Sequence, residues 1–70
     1  MPAINSRKLL QFLKKKGYYI HHQVGSHLAL KHKQDISKRV TLPMHNRDLK
    51  PGTLNSILKQ AGIDKKELFK

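Results

Sequence analysis

The strand pattern of this chain begins with residues 18–33, YYIHHQVGSHLALKHK. Apolar and polar side chains alternate along it, and the pair Gly25-Ser26 divides it into two runs, which is the pattern of a β-hairpin. A third run with the same period follows the turn residues Gln34 and Asp35. We therefore predict three antiparallel strands: Tyr18–Val24, His27–Lys33 and Lys38–Leu42.

Alternation assigns the side chains of the second and third strands to two faces. The apolar set points one way: Leu28, Leu30, Val40 and Leu42. The other set points the opposite way: His27, Ala29, Lys31, Lys33, Arg39 and Thr41. Because the apolar face must be covered by helices, the second face is expected to be open and cationic.

The register of the first hairpin depends on the length of its turn. A connection with an odd number of residues places Ile20 on the apolar face with Leu28 and Leu30, whereas a two-residue turn does not. We expect the odd number. Alternation then directs the adjacent His21 and His22 to opposite faces.

Helical spacing flanks the strands on both sides. The first helix carries Leu9, Phe12 and Leu13, and the second carries Leu54, Ile57, Leu58 and Ala61. Asn5 or Ser6 can cap the first helix, which Gly17 ends, while Pro51 suits the first position of the second, which Gly62 ends.

Asp64, with Glu67 three residues later, has the spacing of a capping box and predicts a short last helix. The predicted order is helix, three strands, helix and short helix, with the helices on one face of the sheet. This is the α+β class. Seventy residues are expected to form one domain, residues 1–70.

Charge is the strongest compositional signal. Fifteen Lys and Arg stand against four Asp and Glu, a net charge of +11, which indicates a polyanionic partner. The chain has no cysteine, which excludes disulfides and thiolate chemistry and fits a cytoplasmic protein. No apolar run approaches a membrane span, and residues 1–16 lack the features of a signal peptide, so no membrane association is expected.

Few residues can support hydrolytic chemistry. The acids are scattered, so a two-metal nuclease site is not expected, and the histidines lack the convergence of a zinc site. We therefore predict neither metal nor cofactor. His27 remains as a candidate general base, because it follows the tight Gly25-Ser26 turn and shares a face with Lys31, Lys33 and Arg39. RNA would supply its own 2′-OH as nucleophile. A solvated histidine with no role is the alternative.

The motifs together resemble the HicA (YcfA-like) family of bacterial toxins. They are Lys16-Gly17-Tyr18, Gly25-Ser26-His27, the run 40–45 (VTLPMH), the run 49–54 (LKPGTL) and the run 57–63 (ILKQAGI). They stand in order over nearly the whole chain, which makes their combination specific. One departure is Asn46, where a Gly is common; Asn tolerates the same turn geometry.

The resemblance implies a fold like that of double-stranded-RNA-binding domains and a catalytic role for His27. It also implies an mRNA interferase, an endoribonuclease that arrests growth and is neutralised by a HicB-type antitoxin. On this basis Gly25, Ser26, Lys31, Lys33 and Arg39 are the predicted RNA-binding residues. His45 is left without a catalytic role, because capping or packing beside Pro43 explains it equally well.

Two other functions stay open at this point. The first is a non-catalytic double-stranded-RNA-binding module, in which His27 only contacts sugar or phosphate. The second is a basic adaptor whose target is an acidic protein.

Overall fold

The structure, a computed structural model, describes residues 3–69. Its elements are α1 (Ser6–Lys15), β1 (Tyr18–Val24), β2 (His27–His32), β3 (Arg39–Pro43), α2 (Pro51–Ala61) and α3 (Lys65–Leu68). The strands form one antiparallel sheet in the order β1-β2-β3. The predicted α+β order is confirmed. Residues 1, 2 and 70 of the predicted domain lie outside the described residues.

The core lies between one face of the sheet and the helices. Its buried residues are Ile4, Leu9, Leu13, Tyr18, Leu28, Leu30, Val40, Leu42, Leu49, Leu54, Ile57, Leu58 and Ala61. Alternate residues of β2 and β3 are buried, as the period of two predicts. Among residues 3–69, no helix covers the opposite face of the sheet, where His27, Arg39 and Thr41 are exposed.

The ends of α1 follow the predicted local chemistry. The side chain of Asn5 accepts a hydrogen bond from the backbone N–H of Lys8 at 2.9 Å, so Asn5, not Ser6, is the cap. Gly17 ends the helix with φ +98°, a conformation that favours glycine. Its carbonyl accepts from the N–H of Lys33 at 2.9 Å, which joins the end of α1 to the end of β2.

The ring of His32 packs against Gly17. Its Nδ1 accepts hydrogen bonds from the N–H groups of Gln34 and Asp35, at 3.1 and 3.2 Å. Because Nδ1 accepts, Nε2 carries the proton and donates to the carbonyl of Lys16 at 2.9 Å. The neutral imidazole thus holds the β2–β3 loop against the end of α1.

Tyr18 connects the sheet to α2. It is 2 % exposed, and its hydroxyl donates to the carbonyl of Ala61 at 2.9 Å. Gly62 ends α2 with φ +68°, as predicted.

The capping box of α3 is confirmed, with Asp64 accepting from Lys66 and Glu67 accepting from the Asp64 N–H. Glu67 also pairs with Lys16 at 2.7 Å, which connects α3 to the end of α1. Within residues 3–69, no helix combines the length and the apolar character needed to cross a membrane.

The expected odd turn in the first hairpin is wrong. Val24 pairs with His27, so the turn has two residues, Gly25 and Ser26. The register instead shifts between Ile20 and His22, where His21 is an extra residue of β1, a β-bulge. Ile20 therefore still pairs with Leu30, although Ile20 stays 41 % exposed.

Substitution of Gly17 by alanine should destabilise the fold. A Cβ there would lie 2.7 Å from Nε2 of His32 and would occupy a positive φ. We expect Gly17→Ala to lower the free energy of unfolding by about 2–3 kcal/mol, from backbone strain and weakened His32 hydrogen bonds. Gly52→Ala is the matched control, since its Cβ meets nothing within 4 Å and the residue is helical. Urea unfolding measures both, and equal losses would contradict the proposed role of His32.

Candidate nucleic-acid interface

The β1–β2 turn presents the candidate catalytic residue. Gly25 has φ +58° and no described non-glycine residue has a positive φ, so Gly25-Ser26 has the pattern of a type II′ turn. This turn matches the twist of the strands and needs glycine in its first central position. A Cβ on Gly25 would meet nothing within 4 Å, so the space beside the turn is open to a ligand.

His27 is the first residue of the central strand. It pairs with Val24 on one side and with Pro43 on the other, so its backbone is held from both sides. Its side chain is exposed and shares the open face with Ala29 and Lys31. An imidazole on a rigid element with free access to solvent can take a proton from a bound substrate.

A buried serine at the start of α1 bonds to the segment after β3, and that segment bonds to the hairpin turn. The Oγ of Ser6, fully buried, donates to the carbonyl of Pro43 at 2.6 Å and accepts from the N–H of His45 at 3.2 Å. The N–H of Met44 donates to the carbonyl of Ser26 at 2.7 Å. The start of α1, the hairpin turn and the end of β3 are thus joined, and His45 is held at the same end of the sheet as His27.

The bulge changes the placement of two histidines. His22 pairs with Ala29 and so faces the open side, and His21 lines the same hollow. The alternation on which the predicted separation of His21 and His22 rests does not continue through the extra residue of a bulge, and both histidines line this hollow. The sequence carries no clear signal for a bulge at this position, so this pair could not be found from spacing.

Lys31 and Arg39 come together in the middle of the open face. They are paired residues of β2 and β3. Both line a hollow of about 380 Å³ with His21 and His22. Two of the predicted RNA-binding cations are thus neighbours, and the histidines of β1 are the site residues that sequence reasoning missed.

Lys33 lies apart from this group. It follows the end of β2 and lines a hollow at the β1 edge with Lys14 and Tyr19. At about 3.3 Å per residue, Lys31 stands about 13 Å along β2 from His27, and Lys33 about 20 Å. The predicted residues therefore lie in three places. Gly25, Ser26 and His27 are at the hairpin end, Lys31 and Arg39 are in the middle of the open face, and Lys33 lies farther along.

The four acids lie away from the open face. Hydrogen bonds from the hydroxyl and the N–H of Ser37 hold the pKa of Asp35 below its usual value. Asp48 lies in the loop before α2, and Asp64 and Glu67 belong to the α3 cap. In the part of the chain that the structure describes, no group of three His, Asp or Glu side chains is placed to hold a metal.

A larger groove of about 700 Å³ runs along the loop between β3 and α2. Its lining residues are Pro43, Met44, His45, Asn46, Arg47, Asp48, Leu49, Lys50 and Thr53. It adjoins the end of the sheet where Ser6 holds His45.

Together these features define a small basic α+β domain with one open, cationic sheet face. Residues 6–63 match the protein family described as the HicA toxin of bacterial toxin-antitoxin systems, and the chain belongs to this family. A comparison with curated proteins gave no match.

Loss of the Ser6 hydroxyl should weaken the end of the sheet. Ser6→Ala leaves the Pro43 carbonyl and the His45 N–H without their buried partner, and we expect a loss of about 1–3 kcal/mol in unfolding free energy. Hydrogen exchange at the His45 amide should accelerate. Ser56→Ala is the control, because within residues 3–69 that exposed hydroxyl makes only one hydrogen bond, which it accepts from Nε2 of Gln60 at 3.4 Å. Equal stabilities of the two variants would rule out this role.

Proposed function

We propose that this protein is the toxin of a toxin-antitoxin system and acts as a metal-independent endoribonuclease on mRNA. The observation that carries the proposal is the position of His27. It is an exposed imidazole on the central strand, directly after a two-residue turn, in a member of the HicA family. His27 is the proposed general base.

The proposed reaction uses the substrate's own nucleophile. His27 accepts the proton of a ribose 2′-OH, and the 2′-oxygen attacks the adjacent phosphorus. The bond from phosphorus to the 5′-oxygen breaks, leaving a 2′,3′-cyclic phosphate on one product and a 5′-hydroxyl on the other. The leaving oxygen takes its proton from water or a lysine. DNA lacks the 2′-OH and cannot follow this route.

The surrounding residues support binding of the RNA backbone. The open space beside Gly25 and Ser26 admits a phosphate close to His27. Lys31 and Arg39 would bind phosphates along the strand, and Lys33 would contact a more distant one. Fixed positive charges also stabilise the negative charge that develops at a phosphate during attack.

The proposed partner is a HicB-type antitoxin in the cytoplasm. A chain of net charge +11 favours an acidic surface, and covering the open face would block RNA from His27 and the cations together. The family assignment supports an antitoxin partner of this kind.

Cleavage assays with His27→Ala test the catalytic claim. We expect the native protein to cut single-stranded RNA but not DNA of the same sequence, with no effect of EDTA. His27→Ala should lose about 10²–10⁴-fold in cleavage rate, which is the usual worth of a general base. Its RNA affinity should fall by no more than about tenfold, the effect of one hydrogen bond.

Gln11→Ala, an exposed change on α1, is the control and should cleave at the native rate. Gels resolve the products, and circular dichroism checks that both variants fold. If the native protein only shifts intact RNA on the gel, the catalytic proposal is lost and a non-catalytic RNA-binding module takes its place. A partner retained after nuclease treatment, with no RNA binding, would instead indicate a basic adaptor for an acidic protein.

A further inference from the structure

The bulge at His21 allows the Val24–His27 pair and the Ile20–Leu30 pair to form in one hairpin, although regular pairing allows only one of them. From the Val24–His27 pair, unbroken alternation would pair Ile20 with Lys31 and turn Tyr18 to the open face. The extra residue restores the Ile20–Leu30 pair and returns Tyr18 to the core. As a result His21, which would otherwise pair with Leu30, is the extra residue of β1 and lines the same hollow as His22.

Donor groups from all three strands converge on the resulting hollow. His22, Ala29 and Thr41 form one row across the sheet, and Lys31 with Arg39 forms part of the next row. Cross-strand neighbours lie about 5 Å apart, so the two rows frame a space the size of a phosphate group. The side chain of Ala29 is a single methyl group and leaves the floor of the hollow open.

The charge in this hollow has no acidic partner among residues 3–69. Asp35 accepts hydrogen bonds from Ser37, Asp48 lies in the loop before α2, and Asp64 and Glu67 belong to the α3 cap. Guanidinium, ammonium, imidazolium and hydroxyl groups are all hydrogen-bond donors to phosphate oxygens. The hollow therefore has the donors and the charge of an anion site.

We propose that this hollow, which we term the bulge subsite (His21, His22, Lys31, Arg39 and Thr41), binds a phosphate of the RNA strand next to the one at His27. The proposal rests on the proposed function for the place of the cleaved bond. Ala29, at the edge of the hollow nearer to His27, is two residues along β2 from it, about 7 Å.

Binding at the bulge subsite should strengthen as the pH falls. A phosphate between the two imidazoles favours their protonated forms, so binding takes up protons, whereas Lys31 and Arg39 are charged throughout. The other titratable groups facing this side are Tyr19, which pairs with Lys31, and His27 at the end of the strand. No helix of the described part of the chain packs over the open face.

RNA binding at two pH values tests the subsite. In a His27→Ala background, which keeps the RNA intact, fluorescence anisotropy with a labelled single-stranded RNA is measured at pH 7.5 and 5.5 over a series of salt concentrations. We expect the affinity for RNA to rise about tenfold at pH 5.5, which is the effect of about one charge-assisted hydrogen bond. The salt slope should steepen by about 0.7–1.4, for one or two new phosphate contacts.

Addition of His21→Gln and His22→Gln should remove most of this pH dependence. Both residues are exposed, so the variant should fold, which circular dichroism checks. His45→Gln in the same background is the matched control, because it removes a histidine outside the hollow, and it should keep the pH dependence. The proposal is overturned if the pH dependence survives the double change or disappears with His45→Gln.

The test of the bulge subsite can fail or succeed independently of the test of the proposed function. If the native protein does not cleave RNA, the catalytic proposal fails and the anisotropy still decides the bulge subsite. If the native protein cleaves RNA through His27 and the histidine pair has no effect on binding, only the subsite is lost.

Discussion

Tyr18 is the anchor on which the arrangement of the sheet depends. Its buried hydroxyl donates to the Ala61 carbonyl, so the first residue of β1 must point into the core. Nine residues later His27 must point outward, since Leu28 and Leu30 fill the inner face of β2. A two-residue turn cannot satisfy both positions by alternation alone. The bulge at His21 resolves this conflict, and the open face takes its composition from that solution.

Most of the architecture could be predicted from the sequence because local signals agreed with one another. Capping residues, the glycine at position 17 and the proline at position 51 define helix ends through backbone chemistry that needs no tertiary context. Alternation likewise assigned the faces of β2 and β3, where pairing is regular. Alternation failed in β1 because the two-residue turn and the burial of Tyr18 require different registers. The local sequence does not show how strongly each of them is favoured.

The candidate site is assembled from distant parts of the chain through one hydroxyl. Ser6 lies in the first turn of α1, yet it bonds to Pro43 and His45 at the end of β3. Sequence spacing suggested Ser6 only as a helix cap, since contacts across 37 residues leave no periodic signal. Lys33 shares parity with His27, but it follows the end of β2 and lines a different hollow from Lys31 and Arg39.

The two-residue turn and the bulge have a consequence for how such hairpins can change in length during evolution. A single insertion or deletion in one strand normally reverses every side chain beyond it and would be removed by selection. Here the loss of residue 21 alone would leave the pairs from Tyr18–His32 to Val24–His27 in one regular register, so Tyr18 would stay inside and His27 outside. This hairpin can therefore shorten by one residue within β1 without reversing a face, and an alignment that placed such a gap in the turn would misassign the residues of the first strand.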